Sequence, residues 1–138
     1  MTHTIALTAG YQFTNATIVS FPANSALLGL RIPEVPRHEG TFQLRYSNPS
    51  ANRLARFTLG VQARADSAAY DDDLNTLRLG PYFTMDAIVS RQIAHGAELF
   101  AAGENLTNQR YQVALTPATN LGPPILFRAG IRLDFGSR

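Results

Sequence analysis

Three groups of residues carry the functional groups that chemistry needs. Asp71, Asp72 and Asp73 stand in a row, and hard cations such as calcium are held by carboxylate oxygens. The run lacks the alternate-residue ligand spacing and the glycine of an EF-hand loop, so it reads as a solvated loop. His3, His38 and His95 stand far apart, in a tail, a loop mouth and a turn, and their spacing makes no ligand set. Asp86 and Glu104 share a strand parity and could be imagined as a carboxylate pair. Arg45, Arg56, Arg64, Arg128 and Arg132 lie on the same parity, so ion pairing is the simpler expectation. There is no Gly-x-Ser-x-Gly, no His-Glu-x-x-His and no phosphate loop. No catalytic, cofactor-binding or metal residue is assigned, no cofactor is expected, and the chain does not read as an enzyme. Substrate-binding residues stay unassigned.

The elements that must position these groups are bounded by composition. The chain has 138 residues and no cysteine, enough for one domain and without a disulfide framework. All 12 basic residues are arginine, and they exceed the acids by only two. They are spread along the chain rather than gathered into the stripe that nucleic acid requires, so no nucleic-acid partner is expected. No apolar run approaches the roughly 20 residues of a membrane helix. Met1-Thr2-His3-Thr4 has neither a basic nor an apolar signal region.

Periodicity predicts an all-β chain. Ile125, Phe127, Ala129, Ile131, Leu133 and Phe135 alternate with Leu126, Arg128, Gly130, Arg132 and Asp134. Alternate residues of a strand face opposite sides of a sheet, so this stretch has an apolar face and a charged one. The same pattern recurs at about 5–14, 40–47, 54–65, 82–93 and 97–111, giving six candidate strands. In the fourth, Ile88 interrupts the polar set and Arg91 the apolar set. Residues 24–30 could form a short helical turn.

Connections alternate between long (17–37, 66–80 and 113–124) and short (48–52 and 94–96). Strands of about 9–11 residues span a bilayer core when tilted, and sorting of long loops and short turns to opposite ends is a mark of outer-membrane barrels. The fold class expected is therefore an antiparallel up-and-down transmembrane β-barrel segment. A soluble β-rich small-ligand-binding domain, with one face on a core, remains the alternative. Tyr11, Phe13, Phe42, Tyr46 and Tyr82 fall near strand ends and fit aromatic girdles at the membrane interfaces, or ordinary aromatic enrichment in strands.

Several segments resemble the C-terminal barrel of TonB-dependent outer-membrane receptors. Gly29-Leu30-Arg31-Ile32-Pro33-Glu34-Val35-Pro36-Arg37-His38 is similar to the family's Gly-x-x-(Val/Ile/Leu)-Pro-x-x-Pro-(Arg/Lys)-(His/Asn) loop. Tyr70-Asp71-Asp72-Asp73-Leu74-Asn75 is similar to its acidic outer-loop element. Glu104-Asn105-Leu106-Thr107-Asn108-Gln109-Arg110-Tyr111 is similar to its Glu-Asn-Leu-(Phe/Thr)-(Asp/Asn)-x-x-Tyr segment. Thr116-Pro117, Gly122-Pro123-Pro124 and Gly130-Ile131-Arg132-Leu133-Asp134-Phe135 are similar to its closing hairpin. Ile125 stands where the family usually has arginine, and Gly136-Ser137-Arg138 follows the aromatic residue that usually comes last.

The resemblance implies about the last six strands of a barrel of about 22, with residues 1–138 as part of the barrel domain and the plug domain, TonB box and signal peptide absent. It implies the outer membrane of a Gram-negative bacterium, extracellular long loops and periplasmic short turns. Uptake of a ferric siderophore or cobalamin-type ligand would be powered through TonB, with membrane lipid, the plug and TonB as partners. A passive porin is a weaker reading. In a bacterial protein the glycosylation patterns Asn15-Ala16-Thr17 and Asn105-Leu106-Thr107 lose their relevance.

Overall fold

The computed structural model describes residues 4–48, 50, 52 and 55–135. The strands are β1 (Thr4–Phe13), β2 (His38–Asn48), β3 (Phe57–Asp66), β4 (Ala69–Tyr70) and β5 (Arg78–Leu79). They continue with β6 (Tyr82–Ala94), β7 (Ala97–Glu104), β8 (Gln112–Ala114), β9 (Asn120–Leu121) and β10 (Leu126–Leu133). The six long strands form one antiparallel sheet in the order β1-β2-β3-β6-β7-β10. Each long strand pairs with the long strand next in the chain, whether a short turn or a long loop joins them, as consecutive elements commonly do.

Register carries the alternation across the whole sheet. Leu7, Leu44, Val61, Ala87, Gly103 and Phe127 form one row from edge to edge. Ala6, Arg45, Gly60, Ile88, Ala102 and Arg128 form the next row, on the other face. A slip of one residue in any pair would turn that strand's apolar set over. Three loops, at 14–37, 67–81 and 105–125, lie at one end of the sheet; the two turns lie at the other.

Among the described residues no second layer covers the apolar face. Ile5, Leu7, Phe127 and Ile131 are each 60% exposed or more. The buried apolar residues among those described are Leu27, Ala69, Leu79 and Ala102, and the first three lie at the loop end. A soluble domain of this size would bury well over half the surface of its unfolded chain. This sheet encloses no such core, so the apolar face needs a nonaqueous medium rather than a packed interior.

Several details differ from the sequence reading. The fifth strand ends at Glu104 rather than Tyr111. Asn105 and Asn108 have φ of 47° and 49°, and a strand cannot pass through the left-handed region. The third strand starts at Phe57, since Ala55 and Arg56 belong to the turn; Leu54 lies outside the described residues. The long loops hold the hairpins β4–β5 and β8–β9, and the first loop closes on itself through a Thr17–Arg31 bridge. The short helical turn within 24–30 is a 3-10 turn, Ser25–Leu27, capped by the Asn24 side chain accepting from Ala26 N.

The turn at 95–96 needs its glycine twice over. Gly96 has φ of 73°, and a Cβ there would lie 2.7 Å from the Asp134 carbonyl oxygen. That approach exists because Asp134 N donates to Gly96 O at 2.8 Å, tying the end of β10 to this turn.

Candidate functional site

Two surfaces bring functional groups together: the polar face of the sheet and the cluster of loops. The polar face is a hollow of about 790 Å³. Its charges are ordered by register. Arg132 stands opposite Glu98 and donates to it at 2.9 Å. Arg128 reaches the diagonal neighbour Glu104 at 2.8 Å, the geometry by which cross-strand pairs stabilise sheets. Toward the loops, Arg64 lies 2.9 Å from Asp66 and 3.5 Å from Glu39. Tyr82 also donates to Asp66, and its ring stacks on Tyr111 with centroids 4.1 Å apart.

The expected pairing of acids and arginines therefore holds for Glu104 with Arg128, and Asp86 is a correction. Asp86 accepts from the backbone N–H of Asn105 at 2.8 Å, so it positions the start of the third loop. Arg56 is taken up by the Ser50 carbonyl at 2.7 Å. Arg45 makes no ion pair or hydrogen bond through its side chain among the described residues.

The interruptions in the polar pattern have a packing explanation. Ile88 stands opposite Gly60, where a Cβ would be 3.0 Å from its Cγ2. Phe100 stands opposite Gly130, where a Cβ would be 2.9 Å from its ring. Each large apolar group lies over a glycine that leaves room for it.

The aromatic residues divide between the faces. Tyr11 and Phe13 gather around His38 on the apolar face, at the loop end. The Tyr11 hydroxyl is 2.8 Å from His38 Nδ1, and the Phe13 ring centroid is 5.2 Å from the imidazole's. Tyr46 packs on Phe57 at the turn end, centroids 5.4 Å apart. These two groups sit where interfacial girdles belong. Phe42 lies further inside the band, opposite Ala9 and Ala63. Tyr82 is a correction, because it lies on the polar face, opposite Asp66.

The loops are bonded to one another. Glu34 N donates to Tyr70 O at 2.6 Å, joining the first loop to the second. Asn75, with φ of 57°, clamps the backbone of Arg31: its Oδ1 accepts from Arg31 N at 2.8 Å and its Nδ2 donates to Arg31 O at 2.9 Å. The Arg31 guanidinium lies 5.5 Å above the Tyr70 ring, a cation–π arrangement.

The acidic run ties the loops of this cluster together. Asp71 is buried and accepts from Thr116 N at 2.7 Å and Thr116 Oγ1 at 2.6 Å, joining the second loop to the third. Hydrogen bonding by Thr116 holds its carboxyl below the ordinary carboxylate value, against partial desolvation and the charge of Asp72. Desolvation pushes Asp72 upward, but hydrogen bonds from Leu77 and Thr76 outweigh it, and the net direction is also down. No three His, Asp or Glu residues among those described are placed to hold a metal. His38 and His95 lie at opposite ends of the sheet; His3 lies outside the described residues.

The third loop is built around Asn105, which is 4% exposed. Its Nδ2 donates to Gln109 O at 3.0 Å and Pro123 O at 2.9 Å. Its Oδ1 accepts from Thr107 Oγ1 at 2.9 Å and Gln109 N at 3.2 Å. Leu106 N donates to Met85 O at 2.7 Å, and Gln109 Oε1 accepts from Phe83 N at 2.7 Å. The segment thus continues the bonding along β6 after β7 has ended. A side chain at Gly122 would collide with the Tyr111 ring. The Asn-Leu…Tyr spacing is explained by this fold: Asn105 closes the turn, and Tyr111 is gripped between Tyr82 and Gly122. Sequence reading singled out these residues, and Asn75, as motif members without finding their roles. Asparagine at a turn was the available signal, since it tolerates positive φ.

The family model described as TonB dependent receptor-like, beta-barrel, matches residues 3–106. The fold resembles BauA, the ferric preacinetobactin receptor of Acinetobacter baumannii, with a TM-score of 0.81 and 19% identity over 95% of this chain and 20% of that one. It resembles the siderophore receptor PiuA of the same organism, with 0.78 and 18% over 94% and 19%. It also resembles the ferric yersiniabactin uptake receptor FyuA of Yersinia pestis, with 0.72 and 21% over 80% and 18%. No curated protein sequence matches the chain. The chain spans about a fifth of the length of these receptors. Bare apolar face, polar hollow and sorted loops agree with the match: the chain belongs to the TonB-dependent receptor-like β-barrel family, a family of outer-membrane transport receptors of Gram-negative bacteria and not of enzymes.

Proposed function

We propose that this chain is the C-terminal wall of a receptor that takes up a scarce ligand across the outer membrane. Residues 1–138 form about six strands of the barrel domain, and a plug domain fills the lumen of the whole receptor. The long loops are extracellular and the two turns periplasmic. The ligand is a ferric siderophore or cobalamin-type molecule, and TonB supplies the energy. The observation that carries this reading is the bonded loop cluster at one end of an inside-out sheet. Glu34–Tyr70, Asn75–Arg31 and Asp71–Thr116 hold three loops as one surface, as a rim that meets a ligand requires. Siderophore uptake is supported by the likeness to a ferric preacinetobactin receptor, a siderophore receptor and a ferric yersiniabactin uptake receptor.

The test is uptake of 55Fe-siderophores and of labelled cobalamin by cells with and without the intact gene, in backgrounds with and without TonB. Gene- and TonB-dependent uptake of one ligand is expected. Uptake of every ligand unchanged by gene deletion would overturn the reading.

A further inference from the structure

Arg91 interrupts the apolar parity of β6, and the fold gives it a definite level. It is exposed, shares its parity with Val89, and stands in register with Phe57 and Leu99. Phe57 belongs to the aromatic group at the turn end, so Arg91 sits at the level of a membrane interface, where lipid phosphates lie. An arginine there lays its stem on apolar surface and holds its guanidinium at the phosphates.

Toward the loops, the same face carries a recess of about 500 Å³. Ala87, Ala101 and Ala129 form its floor, and Leu59 lines its β3 side. Leu106 and Phe127 fill the space over Gly103 and so close its loop end. In the same rows β1 to β3 carry Leu7, Leu44 and Val61, then Ile5, Tyr46 and Leu59. The small side chains of these rows are therefore confined to β6, β7 and β10. Register also sets the depth of the recess. Ala101 and Ala129 share the row of Val89, and Ala87 lies in the next row toward the loops. With a rise of about 3.4 Å per residue and a tilt of about 45°, these rows lie about 5 and 10 Å from Arg91 along the membrane normal. One leaflet takes half of an apolar band about 25 Å tall, so the phosphate level and the recess fall within a single leaflet.

We infer that Arg91 and the Ala87–Ala101–Ala129 recess form a binding site for one glycerophospholipid of the leaflet at the turn end, its phosphate on Arg91 and an acyl chain in the recess. This rests on the topology of the uptake reading, which makes that leaflet the periplasmic one. A guanidinium donates to two phosphate oxygens at once. A chain lying in a walled recess meets more protein atoms than one on a flat strand face, and dispersion grows with each contact. A protein occupant would have to bring its own carboxylate to this apolar level at a desolvation cost, whereas the membrane already holds phosphates there. Lipopolysaccharide belongs to the opposite leaflet, at the loop end.

The test uses the full-length receptor, extracted from outer membranes in a mild detergent and weighed by native mass spectrometry. One phospholipid is expected to remain bound. After delipidation, palmitoyl-oleoyl phosphatidylglycerol is titrated back. Arg91→Gln, which removes the charge, and Ala101→Leu, which fills the recess, should each lower the bound fraction at least fivefold. Arg91→Lys keeps a cation and should stay within twofold of wild type. Ala9→Leu, on the same face at the other edge of the sheet, should leave binding unchanged; cold gels show that each variant is folded. Binding unmoved by Arg91→Gln or Ala101→Leu, or lowered as much by Ala9→Leu, would overturn the inference. So would retention of lipopolysaccharide or of another protein in place of phospholipid. Phospholipid binding without gene-dependent uptake sinks the uptake reading and leaves this site standing; uptake with no phospholipid retained does the reverse.

Discussion

Replacing Asn105 by alanine tests whether the third loop is closed by one side chain. Four hydrogen bonds meet at that amide. Alanine leaves the carbonyls of Gln109 and Pro123 and the N–H of Gln109 without these partners, while Thr107 keeps Phe83 O as an alternative acceptor at 3.1 Å. At about 1 kcal/mol net for each of three bonds, the loss is about 3 kcal/mol. Alanine must also hold a φ of 47°, which adds about 1 kcal/mol. Each 1.36 kcal/mol is about tenfold in an equilibrium, so local opening should rise by at least about 100-fold.

Hydrogen exchange in the reconstituted full-length receptor reads this directly. The amides of Leu106, Gln109 and Gly122, bonded to Met85 O, Asn105 Oδ1 and Tyr111 O, should exchange faster by that factor, while β1 and β2 keep their rates. Asn105→Gly removes the hydrogen bonds without the backbone strain and should fall between wild type and alanine. Asn105→Asp sets an oxygen against two carbonyl oxygens and should be at least as damaging as alanine. Exchange of the loop within threefold of wild type, or equal acceleration in β1, would refute the assigned role.

Three further outcomes follow from the same geometry. Val61→Arg on the apolar face should cost about 2–4 kcal/mol of folded receptor, whereas Gln62→Arg, its neighbour on the other face, should be near neutral; folded and unfolded bands in cold and heated gels measure both. Gly96→Ala should lower the folded fraction in the same gels, because φ is 73° and a Cβ would meet Asp134 O at 2.7 Å. The Asp71–Thr116 link should depend on pH in one direction. The folded carboxyl titrates below the ordinary 3.8, so its stabilisation is present above that value and is lost as pH falls through the lower, folded value. Thr116 amide exchange, corrected for its intrinsic pH dependence, should therefore stay protected at pH 5 and lose protection only in stronger acid; Asp71→Asn should reduce protection at pH 7.

The six strands were legible because alternation is local. Ile131 and Arg132 face opposite ways whatever the partner strand, and loop lengths set the meander. The loop chemistry was less legible because its partners are distant in the chain. Asp71 meets Thr116 across 45 positions, and Asn75 meets Arg31 across 44. The acidic run accordingly looked like a solvated loop, yet one of its members is buried and bonded. The end of β7 was misplaced because the run from Ala97 onward has weak alternation, while the left-handed Asn105 that stops it is supported by Gln109 and Pro123. Tyr82 was placed near the apolar band on proximity to a strand end, although its own parity put it with Asp66.

The sequence by itself determined which residues share a face, where the chain reverses, and that no nucleophile or metal set is spelled out in its motifs. Those properties follow from the two-residue period of a strand and from residue type. Only the tertiary structure decided what lies against each face. Register brought Arg128 to Glu104 and left Arg45 unanswered. It placed Ile88 and Phe100 over glycines of neighbouring strands, and left the apolar side with no core beneath it. Those outcomes depend on which residues distant in sequence become neighbours, and cross-strand distance is a property of the folded sheet.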